Sequence, residues 1–377
     1  MPNSFKIKLP TGTVKLVTDG SADLTTYCDV AARANPKRGF LIVSKVLGRH
    51  LPASPSAMRD AMDQLGRGLP ADLPGPVVFL GMAETATALG QGTFSAYRTA
   101  HPSQTIVYLQ SSRQTVDGAS VVASFEEGHS HATTHLVQIA DPMVARTVHA
   151  ARSLVIIDDE CSTGGTFVAA ATAMMEAMPN LERLATCCIT DWSGDAYLAE
   201  MPRPTVAVSI LRGTMSWQAD ATGEAVSLAQ GSNGAGRAPL SGMRSRSGLA
   251  APEQAIRLPI QAQTGERVLV LGEGEHSYEA LLVAEEVEAR GGIAAVQCIT
   301  RSPALLGFAM TSRSIFTDSY GSGAPCFLYN ILSHAPDRLL IVAEIQADQI
   351  GEAHAALAAL GSAIPVELVL CSYGDGE

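Results

Sequence analysis

One short stretch of the sequence combines residue types that could do chemistry: residues 158–166 read Asp-Asp-Glu-Cys-Ser-Thr-Gly-Gly-Thr. Residues 154–157, Leu-Val-Ile-Ile, come directly before it, and this branched run predicts a fully buried parallel strand. Asp158 and Asp159 therefore lie at the strand end, where two adjacent carboxylates are costly unless cations or hydroxyl groups meet them. The stretch thus begins with two acids that need polar partners.

The second half of this stretch is suited to binding an anion. The residues after Cys161 are small and rich in hydroxyl groups, and they open a predicted helix that runs to Met178; they are Ser162, Thr163, Gly164, Gly165 and Thr166. Glycine lets the backbone approach a ligand closely, and the free N–H groups at a helix start, reinforced by the helix dipole, attract anions. One loop therefore offers carboxylates for sugar hydroxyls and amides for a phosphate.

This strand, acidic pair and loop resemble the signature with which type I phosphoribosyltransferases bind 5-phosphoribosyl-1-pyrophosphate (PRPP). The resemblance implies that Asp158 and Asp159 hold the ribose hydroxyls and that residues 162–166 hold the 5'-phosphate. Family members that act on 6-oxopurines carry an Asp where this chain has Ser162, so the loop is nearer to the orotate type. The alternative is an acidic helix cap in an ordinary nucleotide-binding fold.

Two further loops resemble the pyrophosphate-binding parts of these enzymes. Lys45 and Arg49 follow a predicted strand, and we expect their charge to neutralise departing pyrophosphate, with a solvated basic turn as the alternative. The second loop follows the next strand and consists of Met82, Ala83, Glu84 and Thr85. Its backbone amides are candidates for binding pyrophosphate, with Mg²⁺ between the anion and the Glu84 carboxylate. A simple tight turn is the alternative there.

A polar segment between Leu109 and Val137 contains Arg113, His129 and His131. Type I enzymes carry a flexible hood at this point, which implies a segment that is poorly ordered without ligand and excludes water when it closes. The histidines fit no standard transition-metal spacing, so we expect no transition-metal site. An exposed polar hairpin is the alternative.

Apolar runs alternate with Ala-rich segments of helical length between Phe40 and Asp191, which predicts a parallel sheet flanked by helices. The same rhythm resumes after a stretch rich in Gly, Ser and Arg, with strands predicted near residues 267–271, 293–299, 339–343 and 366–370. We therefore expect an α/β protein. The type I phosphoribosyltransferase fold would span residues 1–230, a linker or mobile loop 231–258, and a second, smaller α/β domain 259–377.

Polar residues also follow the strands of this second domain: Glu273, Glu275 and His276 after one, Arg301 and Ser302 after the next. The stretches resemble the TRSP domain, which accompanies a phosphoribosyltransferase domain in a bacterial family associated with tellurite and stress-resistance operons. Arg301 and Ser302 could hold an anion, and the other three are acid or base candidates. A purely structural role for these turns is the alternative.

The overall composition narrows the classes of partner. Because 37 acidic residues outweigh 26 basic ones, the net charge of -11 argues against nucleic-acid binding. No stretch approaches the roughly 20 apolar residues that a membrane-spanning helix needs, and the start lacks a signal-peptide pattern. Seven cysteines without a Cys-x-x-Cys pair argue against a disulfide framework. We expect a cytoplasmic protein.

These observations predict a PRPP-dependent phosphoribosyltransferase that uses Mg²⁺ and releases pyrophosphate, in the synthesis of a nucleoside-like metabolite. One alternative is a PRPP-sensing regulator without turnover, and another is a separate reaction in the second domain. PRPP and an acceptor are the expected partners. The sequence determines neither the identity of the acceptor nor whether the protein forms a homodimer. Because the motif and its strands precede Asp191, we expect the first domain alone to bind PRPP.

Overall fold

The protein is described by a computed structural model over residues 3–33, 35, 38–126, 134–220, 236–239, 244–251, 260–344, 351 and 364–370. A large sheet with a parallel centre and a smaller second sheet, each packed by helices, confirm the predicted α/β class. Among these residues, no helix is long and apolar enough to cross a membrane.

The large sheet and its helices come from the first part of the chain. The elements of this part of the chain are β1 (Asn3–Leu9), β2 (Gly12–Thr18), α1 (Leu24–Tyr27), β3 (Cys28–Ala32), β4 (Phe40–Ser44), α2 (Pro55–Gly68), β5 (Val77–Gly81), α3 (Thr87–Ala100), β6 (Ile106–Ser112), β7 (Gln114–Val116), β8 (Ser120–Glu126), β9 (Thr134–Ile139), α4 (Pro142–Ala150), β10 (Ser153–Ile157), β11 (Glu160–Cys161), α5 (Gly165–Met174), β12 (Arg183–Asp191) and β13 (Thr205–Ala219). Strands β3, β4 and β7 lie outside the large sheet.

The second region follows further along the chain. Its elements are β14 (Gly236–Ala238), β15 (Arg267–Gly272), α6 (Ser277–Ala289), β16 (Ile293–Cys298), β17 (Arg313–Thr317), β18 (Pro325–Tyr329), β19 (Arg338–Ala343) and β20 (Val366–Leu370). Short 3₁₀ helices lie at Ala196–Ala199, Arg244–Arg246 and Ile331–His334.

The centre of the large sheet places the acidic loop. Strands β13, β12, β10, β5 and β6 lie side by side and parallel, with β10 between β5 and β12. All five residues of β10 are buried, as its branched run predicts. Its last residue, Ile157, pairs with Gly81 of β5 and Cys187 of β12, so the loops that follow β5 and β10 begin at the same sheet edge.

The edges of this sheet differ from the simple parallel pattern. β2 pairs antiparallel with both β1 and β13, and the hairpin of β8 and β9 extends the other edge beyond β6. The run at Phe40 was predicted as a strand of the parallel sheet, but β4 lies outside it and pairs antiparallel with β3. A short apolar run predicts a strand without specifying which neighbour it pairs with.

The second sheet is parallel throughout, with order β16-β15-β19-β20, and α6 packs on β15 and β16. These strands confirm the four predicted near residues 267–271, 293–299, 339–343 and 366–370. A helix predicted over residues 351–360 lies outside the described residues except for Gly351.

The two regions share one hydrophobic core. Buried residues of α2 such as Met58 belong to the same cluster as Val268 of β15 and Leu281 of α6. Arg59 of α2 reinforces this contact by pairing with Glu285 of α6 at 2.5 Å. The described parts of the predicted linker also pack on the first region, because the backbones of Tyr108 and Leu249 exchange hydrogen bonds of 2.9 and 2.8 Å.

Candidate active site

A pocket of about 340 Å³ lies where the loops after β5, β10 and β16 meet. Its walls are residues 158–167, 83–85 and 300–302, together with Arg33, Arg38, Leu41, Arg113 and Glu126. The predicted acidic pair and phosphate loop are therefore brought together, as the sequence predicts. Three residues of the second region complete the same pocket.

The acidic pair is held in place by its backbone. Asp158 N–H donates to the carbonyl of Cys187 at 2.9 Å, and the carbonyl of Asp159 accepts from Ile189 N–H at 3.1 Å. Asp158 Oδ1 also accepts a 2.9 Å hydrogen bond from Asp159 N–H. Both side chains are half-buried and line the pocket, so their carboxylates are positioned by the sheet edge rather than by a loose loop.

Gly164 fixes the shape of the phosphate loop. Its φ of 82° lies in the left-handed region, which glycine adopts without strain. A Cβ at this position would also lie 2.1 Å from Cγ of Tyr197. The Tyr197 hydroxyl makes a 2.6 Å hydrogen bond with Thr186 Oγ1, which holds the ring against the loop. The start of α5 at Gly165 is exposed, and the Gly165 N–H donates to Thr163 Oγ1 at 3.4 Å.

In the loop after β5, two of the four amides expected to bind pyrophosphate, those of Met82 and Ala83, donate to protein atoms instead. Met82 is buried and does not line the pocket, and its N–H donates to the carbonyl of Ile157 at 2.9 Å. Ala83 N–H donates to Ser111 Oγ at 2.8 Å. The two amides are therefore already used within the protein. Ala83, Glu84 and Thr85 still line the pocket.

Comparison with known proteins assigns the two regions. Residues 27–214 match the family described as phosphoribosyl transferase, and residues 240–360 match the TRSP domain that lies C-terminal to it. The chain joins a phosphoribosyltransferase domain to a TRSP domain. This places it among the phosphoribosyltransferase enzymes. No curated protein matches the chain at a significant level.

Solved structures similar to this chain include two adenine phosphoribosyltransferases. One, from Rhodothermus marinus, is 16% identical with a TM-score of 0.35, covering 50% of this chain and 96% of that one. The other, from Giardia lamblia in complex with 9-deazaadenine, is 18% identical with a TM-score of 0.35, covering 51% and 97%. An orotate phosphoribosyltransferase from Aeropyrum pernix is 19% identical with a TM-score of 0.27, covering 46% and 80%. At these scores the assignment rests on the family match.

Lys45 and Arg49, which were expected to bind pyrophosphate, lie elsewhere in the phosphoribosyltransferase domain. Neither Lys45 nor Arg49 lines the pocket. Lys45 Nζ donates to the carbonyl of Thr25 at 2.8 Å, and the Arg49 side chain is only 1% exposed. Arg49 instead contacts the TRSP domain, donating to the Gly274 carbonyl at 2.7 Å and to Ser277 Oγ at 2.8 Å.

Two pocket cations were missed by the sequence analysis. Arg33 and Arg38 lie in a short stretch before β4 that also contains Lys37, and both arginines line the pocket. Arg38 Nη2 lies 2.5 Å from Glu160 Oε1, and its guanidinium lies over the Phe40 ring at 4.8 Å. The basic stretch was the available signal, but a run of charges is more often a solvated turn.

The described residues of the predicted hood form regular secondary structure and contacts with the rest of the domain. Arg113 is buried, lines the pocket, and donates through Nη1 to the carbonyl of Thr134 at 3.0 Å. The hairpin of β8 and β9 follows, with Phe125 stacked on His135 at 4.7 Å. His129 and His131 lie outside the described residues.

The TRSP candidates separate into two groups. Arg301 and Ser302 line the pocket, whereas Glu273, Glu275 and His276 are buried and do not. Burial raises the pKa of Glu273 to about 7 and lowers the pKa of His276 to about 4, because each charged form loses its hydration. Both groups are thus shifted towards their neutral forms.

Glu275 joins the two domains. Its carboxylate accepts from Arg113 N–H at 2.6 Å, from Ser112 Oγ at 2.8 Å and from Arg246 Nε at 2.7 Å. Arg246 also pairs with Glu344, and the side chains of Arg246, Glu275 and Glu344 are at most 1% exposed. This placement favours a structural role for Glu275 over acid or base chemistry on a substrate.

Proposed function

We propose that this chain transfers the 5-phosphoribosyl group from PRPP to a nucleophilic acceptor and releases pyrophosphate. One observation carries the proposal: the acidic pair Asp158 and Asp159 and the phosphate loop 162–166 line one pocket at the carboxyl edge of a parallel sheet. Carboxylates bind sugar hydroxyls through charge-assisted hydrogen bonds, and the exposed start of α5 suits a 5'-phosphate. The family match supports the same chemistry.

The carboxylates of this pocket fit Mg²⁺ that arrives with the donor. Within the described ranges, no group of three or more His, Cys, Asp or Glu side chains is arranged to hold a metal ion by itself. Mg²⁺ is commonly bound by one or two carboxylates together with substrate phosphates. Asp158 and Asp159 are the residues that would hold it, and the ion would neutralise charge that develops on the leaving pyrophosphate.

The transfer breaks the bond between ribose C1 and the pyrophosphate oxygen, and that oxygen keeps the electron pair. A new bond forms between C1 and the acceptor. Asp158 and Asp159 would hold the ribose so that C1 faces the acceptor, and the walls of the pocket would limit access of water, which competes as a nucleophile. An acceptor with an N–H group must also lose that proton.

The acceptor class follows from the residue at position 162. Ser162 lines the pocket, where an Asp would supply a base for an acceptor that must lose a proton. An acceptor that is already anionic, or that ionises easily, needs no such base. We therefore place acidic bases ahead of 6-oxopurines. The association with tellurite and stress-resistance operons stays a prediction from the sequence.

The test combines PRPP binding and turnover. Calorimetry with PRPP and Mg²⁺ should give saturable binding that EDTA abolishes, and at least one member of a panel of purine, pyrimidine and acidic pyrimidine bases should cause pyrophosphate release. Binding without release on the whole panel would favour the PRPP sensor instead. The absence of PRPP binding in the presence of Mg²⁺ would refute both hypotheses.

A further inference from the structure

The Thr-Arg-Ser-Pro segment of the TRSP domain is tied to the phosphoribosyltransferase domain at the pocket wall. Thr300 Oγ1 donates to Glu84 Oε2 at 3.2 Å, and Arg301 N–H donates to the same oxygen at 3.1 Å. Thr300 is itself fixed by backbone hydrogen bonds of 3.0 and 2.7 Å with Phe327. The tetrapeptide therefore places Arg301 beside the loop of residues 83–85.

The guanidinium of Arg301 is held from one side. Its Nη2 donates to Asp318 Oδ2 at 3.0 Å and to Ser322 Oγ at 3.2 Å. Asp318 is itself fixed, because it accepts from Ser322 Oγ at 2.7 Å and from Gly323 N–H at 3.1 Å. Within the part of the chain that the structure describes, Nε and Nη1 of Arg301 make no hydrogen bond, and neither atom is sealed from solvent.

Other cations near this wall are engaged with protein atoms. Lys45 and Arg49 lie outside the pocket, and Arg38 is paired with Glu160. Arg33 lines the pocket but is only 8% exposed and has an interaction of its own. Arg113 donates through Nη1 to the Thr134 carbonyl at 3.0 Å and through Nη2 to the Ala83 carbonyl at 3.4 Å. Arg301 therefore offers unused donors on a pre-positioned cation, which is what binding of a multiply charged anion requires.

We propose that Arg301 of the TRSP domain binds the pyrophosphate of the phosphoribosyl donor, an inference that rests on the proposed function. The loop of residues 83–85 lies next to the acidic pair at the same sheet edge, so an anion leaving the ribose on that side meets Arg301. The hydrogen bonds to Glu84 from Thr300 and Arg301 also draw one acidic oxygen towards the TRSP domain, which reduces its repulsion of the anion. The active site is then completed by both domains.

The donor's two anionic ends can be tested separately, because ribose 5-phosphate and pyrophosphate are each available as probes. Arg301→Gln removes the charge and keeps a side-chain amide that can still donate to Asp318. A hydrogen bond to a charged group contributes about 1.5 to 3 kcal/mol, or roughly a 10- to 150-fold change in affinity. We expect calorimetry with Mg²⁺ to give pyrophosphate affinity weakened by that factor and ribose 5-phosphate affinity within about twofold of wild type.

Two further variants complete the design. Arg313→Gln is the matched control, because Arg313 lies in the TRSP domain outside the pocket wall and bonds the Ala304 carbonyl at 3.2 Å; both affinities should stay unchanged. Arg301→Lys keeps the charge without the planar pair of donors, so pyrophosphate affinity should be intermediate between wild type and Arg301→Gln. It also tests the inference if the Gln variant does not fold.

Three results would overturn the inference while the proposed function stands: unchanged pyrophosphate affinity in Arg301→Gln and Arg301→Lys, equal weakening of both probes, or weakening confined to an acidic acceptor. The last result would assign Arg301 to the acceptor. If the wild-type protein binds neither probe nor PRPP, the proposed function fails as well. The wild-type titrations therefore distinguish failure of the inference from failure of the function.

Discussion

Replacing Arg49 with Met is expected to destabilise the whole protein rather than to remove a substrate contact. The Arg49 side chain is 1% exposed, and three of its hydrogen bonds reach the TRSP domain. It donates to the carbonyls of Gly274 at 2.7 Å and Ile299 at 3.1 Å, to Ser277 Oγ at 2.8 Å, and to the Glu84 carbonyl. Met keeps the length of the side chain but leaves the carbonyls of Gly274 and Ile299 without their side-chain donor.

The expected loss follows from the cost of unsatisfied groups. A hydrogen bond to a charged group contributes about 1.5 to 3 kcal/mol, but neighbouring bonds of one side chain are not additive. Removing one partner of a buried charged network commonly costs about 3 to 5 kcal/mol. We therefore expect the free energy of unfolding to fall by about 4 kcal/mol in Arg49→Met. In Lys45→Met the loss should stay below about 1 kcal/mol, because one partly exposed hydrogen bond is removed.

Urea denaturation with two probes provides the assay. Trp192 and Trp217, the two tryptophans of the chain, belong to one hydrophobic cluster beside the large sheet, so their fluorescence reports that region. Far-ultraviolet circular dichroism reports the helices and strands of both domains. The two curves should coincide in the wild type and in Arg49→Met, because the domains share one core and a single free energy of unfolding then describes each protein. Unchanged stability with lost pyrophosphate binding would refute this account and restore Arg49 as a substrate cation.

Two other substitutions test buried and strained positions. Burial raises the pKa of Glu273 from 4.5 to about 7, so the folded state binds more protons between these values and stability falls as pH rises through the window. Glu273→Gln should remove this dependence and be more stable above pH 7 by about 3 kcal/mol, as measured by urea denaturation at several pH values; a parallel pH dependence in variant and wild type would contradict it. Gly164→Ala should lower the free energy of unfolding by about 2 kcal/mol or more, since a φ of 82° and a Cβ 2.1 Å from Tyr197 both oppose it. In Gly165→Ala the new Cβ meets only Thr163 Oγ1 at 3.6 Å, so thermal unfolding of the two variants should differ, and equal stability would be evidence against the packing described for the loop.

The centre of the fold could be predicted from the sequence because its signals are local. The branched run of β10 is buried throughout. Gly164 adopts a left-handed conformation, which suits a loop whose backbone must approach a phosphate closely. Strand pairing is not a local property, which explains why β4 was wrongly expected in the parallel sheet. Its short apolar pattern is equally compatible with a central strand and with a two-stranded ribbon.

The walls of the pocket depended on contacts between distant parts of the chain. Arg301 meets Glu84 across 217 positions of sequence, and no spacing within either segment indicates that contact. Arg49 was expected to bind an anion, because it is a cation that follows a strand. In the structure its donors are instead taken by buried carbonyls of the TRSP domain, which the local sequence does not indicate. The TRSP domain contributes residues 300–302 to the pocket wall, which no motif before Asp191 indicated. PRPP binding by the first domain alone stays a prediction.

The central claim is that the acidic pair holds the ribose of PRPP, and the most direct measurement is PRPP affinity with Mg²⁺ in Asp159→Asn and Ser162→Ala. Asp159 would accept charge-assisted hydrogen bonds from two sugar hydroxyls, whereas Ser162 supplies one of several donors to the phosphate. We expect affinity weakened by at least about 100-fold in Asp159→Asn and by about 10-fold in Ser162→Ala. Wild-type affinity for PRPP in Asp159→Asn would contradict the role of the acidic pair and the function built on it.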